Sequence, residues 1–535
     1  MSETIPIRKQ GASTPVDDVT ISQSVPLNNS RSGWGLLAAL IAGLAAAGLY
    51  GWTLAPGVLV GDSGEFQFTG AILGIPHPTG YPLYTLLNKL WSLLPVGDVA
   101  YRINLSSAVY MAGAVGLVTA LAWRLLAGLQ PETPASGRAG AALAAGGLLA
   151  VSGTVWAQAL VARAYALNAL LVAGCLLALL LWVEGGRRGA FWAALLLLGL
   201  ALAHHGTTVT LLPGYLLLGL VGEWRARARE SGRARWARWA GGLLALALGL
   251  SPYLLFVYRF VFGYTYYWGN PRTWGDVFFL ARGGPFAGQI LAYPLTWDSQ
   301  LARAGFGGDQ LARQFGGVGV LLGLAGLARL LLDRRTRPVG AGLAVLGLGN
   351  FAFAVNYGII GHIYLIPTYL FWVLGMAVAG AWPLTLVRHL RRPLLRGSVA
   401  AALVLALGGG ALGVPAFLAA ARWAQQDRSG DTRVRDLALE TLAAAAPGAR
   451  VYVDWESVCV FRYYQYVEHR RLDLDLYSED PRDWAPAIAQ DLAAGRAAYV
   501  GGFAGPNPPA PVQQAYRLQR VGLVYQVLGR VPASR

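Results

Sequence analysis

Residues 33–67 read GWGLLAALIAGLAAAGLYGWTLAPGVLVGDSGEFQ, an apolar run followed at once by an acidic, turn-rich segment. The apolar part, Gly33 to Leu54, is long enough to cross a bilayer, which takes about 17–25 residues. It is too long for a typical signal-peptide core, and we interpret it as an uncleaved anchor. Asp62 and Glu65 follow it, three residues apart, so on a helix their carboxylates would share one face. The stretch predicts a membrane protein with a carboxylate pair just outside the bilayer.

The carboxylate pair has two interpretations. An Asp-x-x-Glu pattern is typical of a helix start, where each side chain satisfies unpaired backbone amides. A carboxylate pair beside a bilayer and among aromatic residues is also typical of a site with perturbed pKa values, in which one acid serves as a base and the other helps it. The two roles are compatible, and the sequence leaves both open for Asp62 and Glu65.

The composition indicates a polytopic membrane protein. The chain has 535 residues, of which 55% are hydrophobic and 13% charged, far from the balance of a soluble domain. About eleven apolar runs have spanning length. They are Gly33 to Leu54, Arg102 to Leu126, Ala139 to Ala157, Tyr165 to Val183, Ala190 to Ala203, Thr207 to Val221, Ala240 to Phe262, Phe315 to Leu332, Val339 to Tyr357, Tyr364 to Leu386 and Gly397 to Ala420.

The formal charge of +16 is an orientation signal, because the arginines cluster in alternate loops. By the positive-inside rule those loops are cytoplasmic, which predicts a cytoplasmic N-terminus and an extracytoplasmic chain after Ala420. We expect no nucleic-acid partner, and contact with anionic membrane lipids is a secondary role for this charge. The clusters are Arg187 and Arg188; Arg225, Arg227, Arg229, Arg233, Arg235 and Arg238; Arg334, Arg335 and Arg337; and Arg388, Arg391, Arg392 and Arg396.

The chain divides into three regions. Residues 1–32 are polar and predict a disordered cytoplasmic tail. Residues 33–420 form the transmembrane domain, with outer loops at 55–98 and 263–314. Residues 421–535 alternate helix-like and strand-like segments and predict a small extracytoplasmic α/β domain with a partly parallel sheet. Cys175 falls in a span and Cys459 in the outer domain, so we expect no disulfide.

Polar and aromatic residues of the outer loops are candidate ligand contacts, although each has a simpler interpretation. Arg102 can meet a phosphate or extend to lipid headgroups. The aromatic loop around Trp268 to Arg272 fits a sugar and phosphate site, or an interfacial belt of aromatic rings. His204 and His205 are adjacent and point in different directions on a helix, so they predict hydrogen bonding to a phosphate or sugar and no metal site.

Several motifs together resemble a known family. They are GDSGEF at 61–66, HPTGYPLY at 77–84, RINL at 102–105, HH at 204–205, GNPRTW at 269–274 and YLIP at 364–367. In combination they are similar to the membrane glycosyltransferases that include the animal transmembrane O-mannosyltransferase of plexin and Met-type receptors and its bacterial relatives. The resemblance implies the GT-C fold, here a polytopic α-helical membrane protein with a C-terminal soluble α/β domain. Where relatives tend to carry an acid before the Tyr of the third outer segment, this chain has Arg163.

The resemblance implies an inverting glycosyltransferase. It would move a hexose, which we expect to be mannose, from a polyprenyl-phosphate sugar to an acceptor hydroxyl, expected to be a protein Ser or Thr, although a glycan acceptor stays open. Asp62 would be the catalytic base, with Glu65 beside it. No cofactor and no metal is expected. Candidate phosphate ligands are His77, Arg102, His205, Arg272 and His362; candidate sugar or lipid contacts are Tyr81, Tyr84, Trp268 and Asn270.

Two other classes of protein are compatible with a polar outer cavity. A transporter or flippase of a lipid-linked sugar would have one, but transporters usually bury ionisable groups near the midplane and show repeat symmetry. The predicted spans are almost free of acids, and the two halves show no convincing repeat. A catalytically inert assembly scaffold is the third possibility.

Overall fold

The computed structural model describes residues 33–131, 133–227, 229–359, 361–387, 390, 392–478, 480–502 and 508–532. The predicted tail at 1–32 lies outside the described residues. The membrane part consists of helices α1 (Gly33–Trp52), α2 (Gly61–Ile72), α3 (Pro82–Ser92), α4 (Val99–Leu129), α5 (Ala135–Ala150), α6 (Gly153–Ala159), α7 (Ala164–Gly185), α8 (Arg188–His204), α9 (Leu212–Arg227), α10 (Gly232–Leu250), α11 (Leu254–Phe262), α12 (Trp274–Ala281), α13 (Trp297–Leu332), α14 (Arg337–Asn356), α15 (Gly361–Tyr364), α16 (Ile366–Leu386) and α17 (Pro393–Gln426).

The polytopic helical fold is confirmed, and a helix occupies each predicted span. Within the described part of the chain, eight helical segments are long and apolar enough to cross a membrane, and α5 with α6, bent by 67°, makes a ninth. The predicted spans at 190–203 and 207–221 correspond to shorter helices: α8 has 17 residues and α9 has 16. Length and composition therefore support fewer crossings than the eleven predicted from apolar runs.

The helices pack closely because small residues stand at their crossings. On α13, a Cβ atom at Gly326 would lie 1.8 Å from the carbonyl oxygen of Gly375 on α16. On α8 and α10, a Cβ at Gly199 would lie 2.9 Å from the Cα of Gly249. Small residues at helix interfaces are typical of membrane proteins, where dispersion contacts between helices replace the hydrophobic effect.

The C-terminal region folds as the predicted α/β domain. Its five-stranded sheet has the order β2-β1-β3-β5-β4. The strand β1 pairs parallel with β2 and β3, whereas β5 pairs antiparallel with β3 and β4, so the sheet is partly parallel as expected. Both cysteines of the chain are free and buried. The elements are α18 (Arg433–Ala444), β1 (Arg450–Val453), α19 (Trp455–Tyr466), β2 (Asp475–Tyr477), α20 (Trp484–Ala493), β3 (Ala498–Gly501), α21 (Ala510–Ala515), β4 (Tyr516–Val521) and β5 (Val524–Arg530).

Helix α2 joins the membrane part to this outer domain. Val58 and Phe68, from the first outer loop, belong to the same buried cluster as Val458 and Phe461 of α19. Gly64 faces this contact without room for a side chain: a Cβ there would lie 2.3 Å from the carbonyl oxygen of Leu59, just before α2, and 3.2 Å from the Cβ of Cys459 on α19. The glycine in the GDSGEF motif is thus required by packing, and the outer domain forms one face of the environment of α2.

We expect Gly64→Ala to destabilise the protein, because its methyl group would meet backbone and cannot be accommodated by a side-chain rotation. Overpacking of this kind costs about 1–3 kcal/mol, and the outer domain should become more sensitive to limited proteolysis. Gly305→Ala on α13 is the control, since a Cβ there has no atom within 4 Å. Equal melting temperatures for the two variants in detergent would contradict this account.

Candidate active site

A cavity of about 740 Å³ lies between α2, the aromatic outer loop, α14 and the start of α19. This volume is in the range of small-molecule sites. The two outer loops meet beside it, where Ile75 accepts a backbone hydrogen bond from Trp268 at 2.9 Å and donates one to Tyr266 at 3.0 Å. The cavity brings together five of the predicted site residues: Asp62, His77, Tyr81, His205 and Trp268.

Asp62 stands in the first turn of α2 with 31% of its side chain exposed, on the wall of the cavity. The N-cap residue of α2 is Val60, so Asp62 is not the N-cap, although its carboxylate is hydrogen-bonded to its own backbone amide in the first turn. Its carboxylate is also paired with the guanidinium of Arg163. Burial alone would raise the pKa of Asp62, but the charges of Arg163 and His77 outweigh it and lower that pKa below its ordinary value.

Glu65 is fully buried and does not line the cavity. Its carboxylate accepts a hydrogen bond from the backbone amide of His77 at 3.1 Å, lies 2.5 Å from His77 Nδ1 and accepts another from the hydroxyl of Tyr266 at 3.0 Å. The two carboxylates of the motif therefore have different surroundings. Asp62 faces the cavity. Glu65 lies behind the lining and is hydrogen-bonded to His77, which lines the cavity, and to Tyr266.

His77 presents its ring to the cavity with Nδ1 held by Glu65. Burial lowers the pKa of His77, but the adjacent charge and hydrogen bond of Glu65, with a further contribution from Asp62, raise it above its ordinary value of 6.5. A carboxylate that holds one ring nitrogen fixes the orientation of the imidazole. The arrangement leaves Nε2 as the nitrogen that can donate to an anion in the cavity.

His205 also lines the cavity, but its pKa is lowered whereas that of His77 is raised. Its Nδ1 accepts from the backbone amide of Thr207 at 3.3 Å, and burial, followed by the charges of His204 and His77, lowers its pKa to about 3. A neutral ring whose Nδ1 accepts carries its hydrogen on Nε2. That Nε2 is buried and has no partner among the described residues. His205 is therefore a neutral hydrogen-bond donor toward a ligand and not a cation.

A buried amide network fixes the wall that carries Arg163. The side chains of Gln67 and Asn104 are fully buried and hydrogen-bonded to each other at 2.9 Å. Asn104 also accepts from the backbone amide of Ala162 at 3.0 Å, and the amide of Arg163 lies 3.3 Å from Ser107 Oγ. The network joins α2, α4 and the start of α7, and it places Arg163 opposite Asp62.

The other predicted phosphate ligands lie away from the cavity lining. The guanidinium of Arg102 donates to three backbone carbonyls, those of Ser92 and Val96 at 2.7 Å and of Gly97 at 2.8 Å, so it closes the end of α3. Arg272 is exposed in the turn before α12. His362 is exposed in α15, and partial desolvation by its neighbours lowers its pKa.

Two predicted sugar or lipid contacts also lie away from the lining. Tyr84 is fully buried beneath the cavity floor, with its ring 5.1 Å from that of Phe66 and its hydroxyl 3.3 Å from Ser107 Oγ. Asn270 is exposed in a turn and has a positive φ of 46°. Nothing in the structure tests a ligand contact for these residues, and their roles stay predictions.

The lining also includes residues that were not among the predicted ligands, and three of them have side chains suited to an anion or a sugar: Arg163, Arg282 and Trp455. Arg282 is exposed, stacks against Phe278 and Phe279, and makes no ion pair within the described residues. Its position in a Gly- and Pro-rich outer loop was the one sequence signal for it. Trp455 comes from the outer domain and could be assigned only once α19 was seen to pack on α2.

The described residues contain no group of three or more His, Cys, Asp or Glu side chains that could hold a metal ion. The charged groups of the cavity are instead a carboxylate, two guanidinium groups and a histidine with a raised pKa. Catalysis without a metal stays a prediction.

Comparison with known proteins identifies relatives of this region. Residues 62–222 match the family described as the N-terminal domain of the protein O-mannosyl-transferase TMEM260. The protein O-mannosyl-transferase TMEM260 of Mus musculus is 37% identical over 134 residues, which are 25% of this chain and 18% of that protein. Its counterpart in Dictyostelium discoideum is 24% identical over 313 residues, 54% of this chain and 36% of that one. The chain thus spans about a third or less of these relatives' length.

Solved structures share the fold. ArnT from Cupriavidus metallidurans, bound to undecaprenyl phosphate, aligns with a TM-score of 0.56 and 15% identity over 94% of this chain and 99% of that chain. The oligosaccharyltransferase of Archaeoglobus fulgidus aligns with a TM-score of 0.50 and 13% identity over 88% of this chain and 69% of that one. At these identities the likeness concerns the fold, which is that of the GT-C membrane glycosyltransferases.

The Glu65–His77 pair makes stability depend on pH. Because the native state raises the pKa of His77, the stabilisation is complete below the ordinary value of 6.5 and is lost as pH rises through the native pKa. We expect the melting temperature to fall over that interval, and Glu65→Gln to flatten the dependence. Glu440→Gln, an exposed carboxylate on α18, should retain the wild-type profile. Parallel profiles for wild type and Glu65→Gln would contradict the pairing.

Proposed function

Taking residues 62–222 as a TMEM260-type N-terminal domain on a GT-C fold, we propose that this chain is an inverting glycosyltransferase. It moves a hexose, mannose in our proposal, from a polyprenyl-phosphate sugar to the hydroxyl of a protein Ser or Thr. The observation that carries the proposal is Asp62, which stands on the wall of a large cavity among cationic groups. A base and a set of anion ligands that face one space are what glycosyl transfer from a phosphate donor requires.

The reaction is a single displacement. The acceptor oxygen attacks the anomeric carbon while Asp62 takes the hydroxyl proton, and the bond from that carbon to the phosphate oxygen breaks. The electron pair leaves with the polyprenyl phosphate, and the protonated carboxyl group of Asp62 later returns its proton to solvent. General-base assistance of this kind contributes about 10²–10⁴-fold in rate. A low pKa keeps Asp62 ionised, and so able to accept a proton, throughout the neutral range.

The cavity offers ligands for the donor phosphate without a metal. Apart from Arg163, the lining offers the guanidinium of Arg282 and the imidazole of His77, whose pKa is raised, and the Nε2 of His205 adds a neutral donor. Fixed donors aimed at a developing negative charge stabilise a transition state because they need no reorganisation. Glu65 acts through His77 in this scheme and is a positioning residue.

The residues that line the cavity suit both substrates. Apolar side chains are among them, including Val209, Ile290, Phe353 and Ile359, and they suit a prenyl chain that enters from the bilayer. A fold relative that binds undecaprenyl phosphate supports this class of donor. Trp455 of the outer domain also lines the cavity, which suits an acceptor that approaches from the extracytoplasmic side in the predicted topology.

We expect Asp62→Asn to lower the rate of transfer from a polyprenyl-phosphate mannose about 10²–10⁴-fold, because the amide cannot accept the acceptor proton. Purified protein and a radiolabelled or fluorescent donor give the measurement. Asp309→Asn is the matched control, since Asp309 is a half-exposed carboxylate that is also paired with an arginine. Transfer by Asp62→Asn within a few fold of wild type would remove Asp62 from the role of base.

An assay in reconstituted liposomes distinguishes a glycosyltransferase from a flippase and from an inert scaffold. We expect donor to be consumed and product to form at one face of the vesicle. Movement of intact donor between leaflets, with no product, would instead support a flippase. If donor is neither consumed nor moved, the result would support a scaffold.

A further inference from the structure

We propose that Arg163 is a latch on the catalytic carboxylate: it pairs with Asp62 and exchanges this partner for the donor phosphate when the donor binds. The carboxylate is then released to meet the acceptor hydroxyl. This inference rests on the proposed function, since it names the event that prepares Asp62 as a base.

The pair is placed where a ligand can open it. Arg163 and Asp62 both line the cavity, with 24% and 31% of their side chains exposed. A fully buried ion pair would resist separation because each charge would lose its partner without gaining water. This pair has a ligand-accessible side, so an anion that enters the cavity can compete with Asp62 for the guanidinium.

Arg163 has a fixed backbone and a side chain with a single partner. Its own amide and that of Ala162 are held by Ser107 and Asn104, and it is the N-cap residue of α7. Among the described residues, the guanidinium hydrogen-bonds only to Asp62. The long side chain can therefore turn about a fixed anchor without moving the helix.

Chemistry favours exchange of the carboxylate for a phosphate. Arginine binds phosphate and carboxylate with the same forked geometry, so the exchange costs little in hydrogen bonds. As the bond to the anomeric carbon breaks, charge accumulates on the leaving phosphate, and an arginine placed there stabilises the transition state more than the ground state.

Release also improves the base. While it is paired, Asp62 has a low pKa and one carboxylate oxygen engaged. The other ionisable groups that act on Asp62 are His77 of the first outer loop, Tyr81 of the same loop, Tyr165 of α7 and Cys459 of α19. Only His77 adds a second positive charge, so withdrawal of Arg163 raises the proton affinity of Asp62 when the substrates are in place.

Binding measurements test the latch without requiring turnover. The probe is undecaprenyl phosphate, titrated into the full chain in detergent for four proteins: wild type, Asp62→Asn, Arg163→Gln and the double variant. We expect Asp62→Asn to tighten binding about tenfold, within the usual range of coupling between sites, because Arg163 no longer has to leave a partner. In the Arg163→Gln background the same substitution should change affinity less than twofold.

A second arginine provides the control. Arg282 also lines the cavity but has no carboxylate partner among the described residues. Arg282→Gln should weaken binding, yet Asp62→Asn should still tighten it about tenfold in that background. If Arg163→Gln does not fold, as judged by its melting temperature, Arg163→Lys replaces it, and it should lower the coupling because lysine lacks the fork.

The outcomes separate the latch from the proposed function. Equal tightening by Asp62→Asn with and without Arg163 would mean simple charge repulsion and would overturn the latch, as would no tightening at all. Loss of transfer by Asp62→Asn without coupling to Arg163 would keep the base and reject the latch. Coupling together with normal transfer by Asp62→Asn would show that the arginine moves but that Asp62 is not the base.

Discussion

The close approach of α2 to α19 at Gly64 is the constraint on which the rest of the site depends. With no side chain at that position, the short helix α2 can pack directly on α19 of the C-terminal domain. Asp62 is thereby held one half-turn away, at the boundary between the membrane helices and the α/β domain. The outer domain is consequently part of the site: its packing sets the angle of α2, and its Trp455 closes part of the cavity.

The two carboxylates of the motif illustrate how surroundings divide roles between chemically similar groups. Glu65 has no exposed surface, and its carboxylate is hydrogen-bonded to His77 and Tyr266. Asp62 is one helical turn earlier, reaches the cavity, and is held by a single arginine. Environment, more than side-chain type, decides which acid can exchange protons with a substrate. The same holds for the histidines, since the carboxylate of Glu65 raises the pKa of His77 whereas burial lowers that of His205.

With Arg163 beside Asp62, the two charges on this wall of the cavity have opposite signs; an acid at position 163 would give two negative charges there. A second acid before Tyr165 would repel Asp62 and attract a cation, whereas an arginine there neutralises Asp62 within the protein. Arg163 is therefore matched by an internal ion pair with Asp62. The buried amide network of Gln67 and Asn104 holds the backbone at Ala162, from which the next residue, the arginine, extends.

The sequence by itself determined the features that depend on local composition and periodicity. Apolar runs predicted where helices lie, strand and helix alternation predicted the partly parallel outer sheet, and the GDSGEF motif directed attention to Asp62. These succeed because spanning length, strand pattern and a short motif are each contained in a few neighbouring residues. Only the tertiary structure decided that Asp62 pairs with Arg163 and that Glu65 is hydrogen-bonded to His77. It also decided that Arg282 and Trp455 line the cavity and that Arg102 does not. Each of those depends on contacts between segments far apart in the chain, and no local pattern encodes which of several outer loops a side chain will face.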